Sequence, residues 1–453
     1  APGRPPRGGR PAAARAATRL RAFDDDELGG GGFLAQLAAL EAKDRREAEA
    51  AEAAEDAEAG EAGDIPELLR QAERLRERHE AAVDSGLQLG HAPVLFSSIM
   101  EVLFPSGSRP EGGTGGVYVD GTFGRGSFSA GILEQLSEDG RLYAFDIDRT
   151  ALEVGRELER EDSRFTMFHR PYGDLAEALE GVSVNGVVLD VGVSSPQVDD
   201  KSRGFSLQHL QDGPDRPVDL RMNPDAGVSV AEWLEAASVE ELAWVLDQNG
   251  DDFGETLLNE RIAQAIMDDQ KLNGPYTSMK RFAEVAGRAL VWPEEEFQHS
   301  EIGLEHPAKL VVQALRVYIN REKQQIRAGL EAAFKVLVMG GRCLISVFKR
   351  QEAAVIVDFI QDHEEPDAET IARLGRGRRL RELYPLVGTD LDYAVRLIGK
   401  PLRAPGYEVL RNPRARSGFL YVMEKVPRQT RRVKAKPRLH RNRFREPEPP
   451  SIM

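Results

Sequence analysis

The sequence offers almost no sulfur chemistry: one cysteine, Cys343, in 453 residues. A single thiol excludes an intramolecular disulfide and a multi-cysteine metal site. Its setting, Arg342-Cys343-Leu344-Ile345, reads as a buried strand, so a packed core thiol is expected. Long apolar runs are missing too. No stretch approaches the ~18–20 uninterrupted apolar residues of a membrane span. The longest runs are strand-sized, such as Val187–Leu189 and Val336–Met339. Neither a membrane partner nor a bound metal is expected. Acids are absent from two stretches: residues 1–22 hold six arginines, and residues 425–445 hold ten Lys or Arg, in a chain of net charge −15. The total charge argues against nucleic acid, but a basic tail on an acidic body supplies phosphate contacts that the body lacks. What remains is a globular composition, 41% hydrophobic and 30% charged, with room for more than one domain.

The chain divides by composition. Residues 1–84 read as a low-complexity extension. Its first 22 residues are rich in Arg, Ala, Pro and Gly, as in a transit segment for a mitochondrion or plastid, with cytoplasmic residence as the alternative. An acidic, Ala/Glu-rich helical region follows. From Gly116 strands and helices alternate. Strands are expected at Val117–Asp120, Arg141–Asp146, Phe165–His169 and Val184–Val191, with helices at Ser129–Leu136 and about 149–160. Such alternation implies parallel β-α units and a sheet covered on both faces. Residues 228–300 lose strand character and read as amphipathic helices (Trp233–Ala237, Val239–Leu246, Thr256–Asp268, Ser278–Val291). A helix over about 307–335 leads back to strands at Arg342–Phe348, near 392–398 and near 418–425. The expected organisation is a sheet domain over 85–222 and 306–426, interrupted by a helical insert over 223–305 and followed by a basic tail over 427–453.

Three elements carry chemistry. Asp120-Gly-Thr-Phe-Gly-Arg-Gly126 links a strand to a helix; glycines there let the backbone approach a ligand, and a strand-end acid suits a cationic amino-acid group. Alone, such a loop is a weak signal. Asp146 ends the next strand, where Rossmann-like folds place an acid on ribose hydroxyls. Asp148 fits the cap of the following helix, which leaves Asp146 for a ligand. Asp190-Val-Gly-Val-Ser-Ser-Pro-Gln197 follows the fourth strand and crowds an acid, two hydroxyls, a stiff turn and an amide together. Polar groups of this kind orient an exocyclic amine.

These stretches resemble the MraW (RsmH) family of ribosomal RNA cytosine-N4 methyltransferases, in an organellar-type form. The matching residues run in family order: His91-Ala-Pro-Val-Leu95, Asp120–Gly126, Asp146, Asp190–Gln197, Arg203-Gly-Phe-Ser206, Asp219-Leu-Arg-Met222, His306-Pro-Ala308, Gln313-Ala-Leu-Arg-Val317 with Asn320, and Asn412-Pro-Arg-Ala-Arg-Ser417. The resemblance implies a class I, Rossmann-like α/β sheet with an inserted helical domain. It implies S-adenosylmethionine as cofactor, held by Gly126, Ser127, Phe128, Asp146, Tyr172, Asp190 and Gln197. It also implies N4 of a cytidine in the decoding region of small-subunit ribosomal RNA as the acceptor. The catalytic environment falls to Asp190, Ser194, Ser195 and Pro196, and the small ribosomal subunit becomes the partner. The oligomeric state stays open, a dimer included. Departures lie at Phe128 and Lys349, where the family has His, at Tyr172, where it has Phe, and at Lys309-Leu310, where it has Thr-Arg. The added Lys309, Lys349 and Arg350 read as phosphate contacts. These departures motivate an alternative, a methyltransferase-fold ribosome-assembly factor with weak or lost catalysis. A methyltransferase for a protein or small molecule is the third reading, since fold alone does not fix the substrate.

Overall fold

The computed structural model describes residues 93–105, 113–194, 197–198, 200, 203–207, 215–250, 256–289, 308–375 and 378–429. All of these residues fall within the compact unit 77–453. The extension over 1–84, His91, Ser195, Pro196, His306 and the tail beyond Gln429 therefore lie outside the described residues.

Eight strands form one sheet: β1 (Val117–Asp120), β2 (Arg141–Asp146), β3 (Phe165–His169), β4 (Val184–Asp190), β5 (Leu337–Val347), β6 (Tyr393–Leu397), β7 (Leu402–Arg403) and β8 (Phe419–Pro427). Their order is β3-β2-β1-β4-β5-β8-β6, with β7 also on β8. Pairing is parallel from β3 through β5, and β8 runs against all its neighbours. This is the Rossmann-like α/β sheet with one reversed strand. The interior strands are apolar because helices cover both faces; Val187, Val188 and Leu189 of β4 are fully buried. The chain leaves β1 toward β2 and β3, but later strands are added beyond β4 on the other side. Strand order thus reverses between β1 and β4, and a crevice opens there at the carboxyl ends of the strands.

Local chemistry sets the helix starts. Asp148 caps the helix Arg149–Glu161 by accepting from Thr150 N at 2.9 Å. Ser229 and Ser238 begin the helices Val230–Ala236 and Val239–Asn249 with reciprocal capping boxes to Glu232 and Glu241. With the helices Thr256–Asn273, Met279–Ala289 and Lys309–Ile319 these build a second apolar core. That core also draws in Val218, Leu220 and Ala308, while the sheet keeps its own core around Leu142, Phe165 and Val188. Cys343 is fully buried in β5, and burial pushes its thiol up to about 12, well away from the reactive range.

Several elements differ from the sequence-based expectation, two of them most. The single helix over 307–335 is two, Lys309–Ile319 and Glu322–Val336. The break falls at Arg321, which takes a left-handed φ of 52°. Beside it Asn320 turns its side chain outward as a clasp. Its Oδ1 accepts from Met222 N at 2.7 Å, and its Nδ2 donates to Leu220 O at 2.7 Å and Arg316 O at 2.8 Å. Leu220, fully buried, holds a left-handed φ of 61° to meet it. Such a conformation costs a non-glycine residue of order 1 kcal/mol or more and persists only where its surroundings enforce it. The strand predicted over Arg342–Phe348 begins earlier, at Leu337, through the two-glycine bend Gly340-Gly341.

Candidate active site

Three strand ends deliver carboxylates to one cleft. Asp120 ends β1, Asp146 ends β2 and Asp190 ends β4. The loop after β1 crosses between them. Gly124 N donates to Asp146 Oδ2 at 2.8 Å, and Asp148 N donates to Asp146 Oδ1 at 2.8 Å. Each Asp146 oxygen so keeps lone-pair capacity for a further donor. Gly126 has φ +82°, and a Cβ there would stand 2.8 Å from Phe123 Cζ. Both facts restrict the position to glycine. Gly126→Ala is expected to weaken cofactor binding about tenfold or more, measured by calorimetry, because strain of this kind costs about 1–3 kcal/mol. Unchanged affinity would mean that the loop adapts.

Asp120 lies below the loop. Its side chain is fully buried, accepting from Ser129 Oγ at 2.7 Å and Thr122 N at 3.2 Å. Burial raises its carboxyl to about 6, opposed by those two donors. Asp120 thus shapes the loop from beneath. Thr122 reaches on to β4, its Oγ1 accepting from Asp190 N at 2.7 Å. The Asp190 side chain receives Ser346 Oγ at 2.6 Å, from the residue directly opposite on β5. Burial raises Asp190 to about 7; the Ser346 bond opposes the rise and the charge of Asp120 adds to it. Asp190 is therefore poised to titrate near neutrality.

The turn after β4 is tied by its own residues. Gln197 Oε1 accepts from Ser194 N at 2.9 Å, and Ser194 Oγ accepts from Gln197 N at 3.4 Å. Gln197 Nε2 donates to Asp148 Oδ2 at 2.8 Å, so both polar atoms of this nearly buried side chain brace the turn. Arg203 joins the same carboxylate at 3.0 Å and donates to Arg221 O and Met222 O at 3.1 and 2.7 Å. Burial acts to raise Asp148, but the bonds from Gln197 and Thr150 and the Arg203 charge together hold it below the usual range. A single cap residue thus connects the end of β2, the Ser194 turn and Arg203. Among the described residues Ser194 Oγ is bonded only as an acceptor, which leaves its hydroxyl proton for a ligand.

The remaining expected residues line the same cleft, whose volume is about 1710 Å³. Ser127 borders it directly, and the Phe128 ring forms apolar wall, stacked on Phe96 at 5.7 Å. Tyr172 follows β3 and stands against Gly329 of the helix Glu322–Val336. The far wall was not foreseen. Arg316 and Glu322 form a buried two-pronged ion pair, Nε to Oε1 at 2.7 Å and Nη2 to Oε2 at 2.9 Å. Glu352 accepts from Phe348 N at 2.9 Å and Lys349 N at 3.2 Å; burial raises it to about 7, opposed by the Lys349 charge. Lys349 Nζ is buried, so its charge serves Glu352 rather than an RNA phosphate, contrary to the sequence reading. Lys309 lies at the cleft and Arg350 is exposed. Among the described residues, no group of three His, Cys, Asp or Glu side chains is placed to hold a metal, and no helix is long and apolar enough to cross a membrane.

The sequence matches the profile of the MraW methylase family over residues 88–426. The chain belongs to that family. Ribosomal RNA small subunit methyltransferase H of Coxiella burnetii (strain RSA 331 / Henzerling II) is 36% identical over 341 residues, 74% of this chain and 99% of that protein. The protein of the same name from Alteromonas mediterranea is 35% identical over 342 residues, covering 74% and 97%. Among solved structures, a putative rRNA-methylase from Clostridium thermocellum covers 74% of this chain and 98% of its own, at 10% identity and a TM-score of 0.31. The MraW match spans the cleft from the strand-end acids to Ser417.

S-Adenosylmethionine suits the donor set of this methylase. Asp146 presents spare acceptor capacity, Asp190 offers an anionic partner for a cationic ligand, and Tyr172 and Phe128 give apolar walls. The cleft exceeds the ~300–1,000 Å³ of ordinary small-molecule pockets, which leaves space for an acceptor nucleotide. Ser129, Ser346, Arg203 and the Arg316–Glu322 pair went unassigned in the sequence. Ser346 did leave a signal, a hydroxyl inside the apolar strand Cys343–Val347.

Proposed function

We propose that this methylase transfers the methyl group of S-adenosylmethionine to N4 of a cytidine in small-subunit ribosomal RNA. The observation carrying this reading is the convergence of Asp120, Asp146 and Asp190 on one glycine loop, in a chain that spans nearly the whole length of small-subunit methyltransferases H. The cofactor supplies an electrophilic methyl on a sulfonium. Asp146 accepts the ribose hydroxyls, the loop through Gly126 and Ser127 approaches the amino-acid portion, and Tyr172 and Phe128 bound the apolar part. Gln197 acts through the Ser194 turn that it braces.

A cytosine N4 amine is a poor nucleophile because its lone pair is delocalised into the ring. Acceptors aimed at its N–H bonds draw the nitrogen toward a tetrahedral, nucleophilic geometry. Asp190 is assigned that role, with Ser194 in the turn beside it, so catalysis is mainly positioning and electrostatics. The base must leave its stack to enter. Lys425 and Arg428 are buried against backbone carbonyls, and the basic residues 431–445 support added contacts to RNA phosphate. The acid-free, arginine-rich residues 1–22 support delivery to an organelle; a fluorescent fusion of this stretch that stays in the cytosol would count against it.

Tritiated S-adenosylmethionine and unmethylated small subunits provide the test. Label is expected in N4-methylcytidine after digestion of the ribosomal RNA. A second reading, an assembly factor that retains the fold without turnover, is favoured by Phe128 stacked into the apolar wall where the family has His. Cofactor binding with no label in any nucleoside would select it.

A further inference from the structure

Gln325 lies in the first turn of the helix Glu322–Val336 and borders the cleft. Its Oε1 is buried and accepts no hydrogen bond from any described residue. A buried amide oxygen in that state costs free energy comparable with a lost hydrogen bond, so its persistence calls for an explanation. Its surroundings supply one. A Cβ added to Gly173 would stand 2.8 Å from Gln325 Oε1, so the acceptor abuts the residue that follows Tyr172. One turn along the same helix, a Cβ on Gly329 would stand 2.3 Å from Tyr172 Cδ2. The two glycines thus let the β3 loop settle onto this helix, bringing an aromatic ring and an acceptor side by side.

The order of strands gives this corner a meaning. Asp146 ends β2, and β3 is the next and outermost strand on that side. A nucleoside whose ribose meets Asp146 has its base at the β3 loop, where Tyr172 and Gln325 stand. The transferable methyl must lie at the opposite end, toward Asp190 on β4. An acceptor at the base end calls for an N–H donor on the ring. Adenine carries one as its exocyclic 6-amino group.

We propose that Gln325 Oε1 accepts the 6-amino group of the cofactor's adenine and makes the site selective for an aminopurine. The assignment rests on S-adenosylmethionine as cofactor. It concerns recognition alone, because Gln325 lies at the end of the ligand away from the methyl.

The acceptor cytidine also has an exocyclic amine, and the experiment separates the two. Calorimetry on the full chain compares S-adenosylhomocysteine with its 6-deamino purine analogue. The wild type is expected to bind the amino form about tenfold tighter, the scale of one neutral hydrogen bond. Gln325→Leu should bind both forms alike, at the level of the deamino form. Equal affinities in the wild type would overturn the proposal, and this arm stands even if the variant fails to fold. Discrimination that survives in Gln325→Leu would overturn it as well. So would a variant that keeps its cofactor affinity but shows a raised KM for RNA, since the amine served would then be the cytidine's. A wild type that binds neither ligand removes the cofactor assignment itself, and this proposal with it.

Discussion

Asp190→Asn is expected to lower methyl transfer by about 100-fold or more, the usual scale for losing one preorganised electrostatic partner of a transition state. The substitution keeps the shape and the acceptor for Ser346 Oγ, so the loss isolates the charge. The pH dependence gives a second readout. Burial places the Asp190 carboxyl at about 7, and only its ionised form accepts from an amine with full charge. The wild-type kcat/KM should therefore fall as pH drops below about 7, and that limb should vanish in the variant. Stability should move the other way. A carboxyl whose folded pKa lies above its unfolded value is bound to its proton more tightly in the native state. Its contribution is greatest below about 4 and is lost as pH rises toward 7. Asn carries no such cost, so the variant should gain on the wild type in urea midpoint between pH 5 and pH 8. If turnover, cofactor affinity and pH profile all survive the substitution, Asp190 has no part in the reaction.

Glu322→Ala should cost about 3–5 kcal/mol, the range for removing one member of a buried ion pair. Arg316 and Glu322 are both nearly buried and joined by two parallel bonds. With Lys349 and Glu352 they make a cluster of two cations and two anions in the cleft wall. Deleting Glu322 leaves a net positive charge in a poorly solvated wall. Glu352 feels Glu322 as a repelling charge, so its raised carboxyl should titrate lower in the variant. Glu322→Gln keeps a hydrogen-bonding group and is expected to cost less. A urea midpoint within error of the wild type would show that water reaches the pair.

The legible parts of this protein are those where one residue type answers to one local need. Asp120, Asp146 and Asp190 could be placed because apolar strands of fixed length end on them. Asp148 could be assigned to a cap because Ile147-Asp148-Arg149 opens the next helix. The bounds of β1, β2 and β3 coincide with the expected ones. The break at Arg321 was not legible: Ile319-Asn-Arg-Glu322 keeps helical spacing, and only the distant partners Leu220 and Met222 make Asn320 end a helix. The tie between Arg203 and Asp148 spans 55 residues and belongs to tertiary packing. Gln197 shows the same limit. Its place in the motif was visible, whereas its commitment to Ser194 N and Asp148 depends on how the turn closes. Gln325 had no motif at all, and it stands out only through an oxygen left without a partner among the described residues.

The Asn320 clasp also bears on how this architecture can change. Met222 N and Leu220 O sit at the start of the excursion into the helical layer, and Asn320 sits at its return. The two crossings are thereby fastened to each other rather than to distant parts of the sheet. A chain segment whose ends already meet adds little closure entropy as it lengthens, roughly 0.6 kcal/mol for each doubling. The intervening residues can grow, shrink or be exchanged while the register of β4 against β5 stays as it is. The sheet therefore carries its helical layer as a pendant module, and the size of what that layer grips is free to vary independently of the chemistry beneath it.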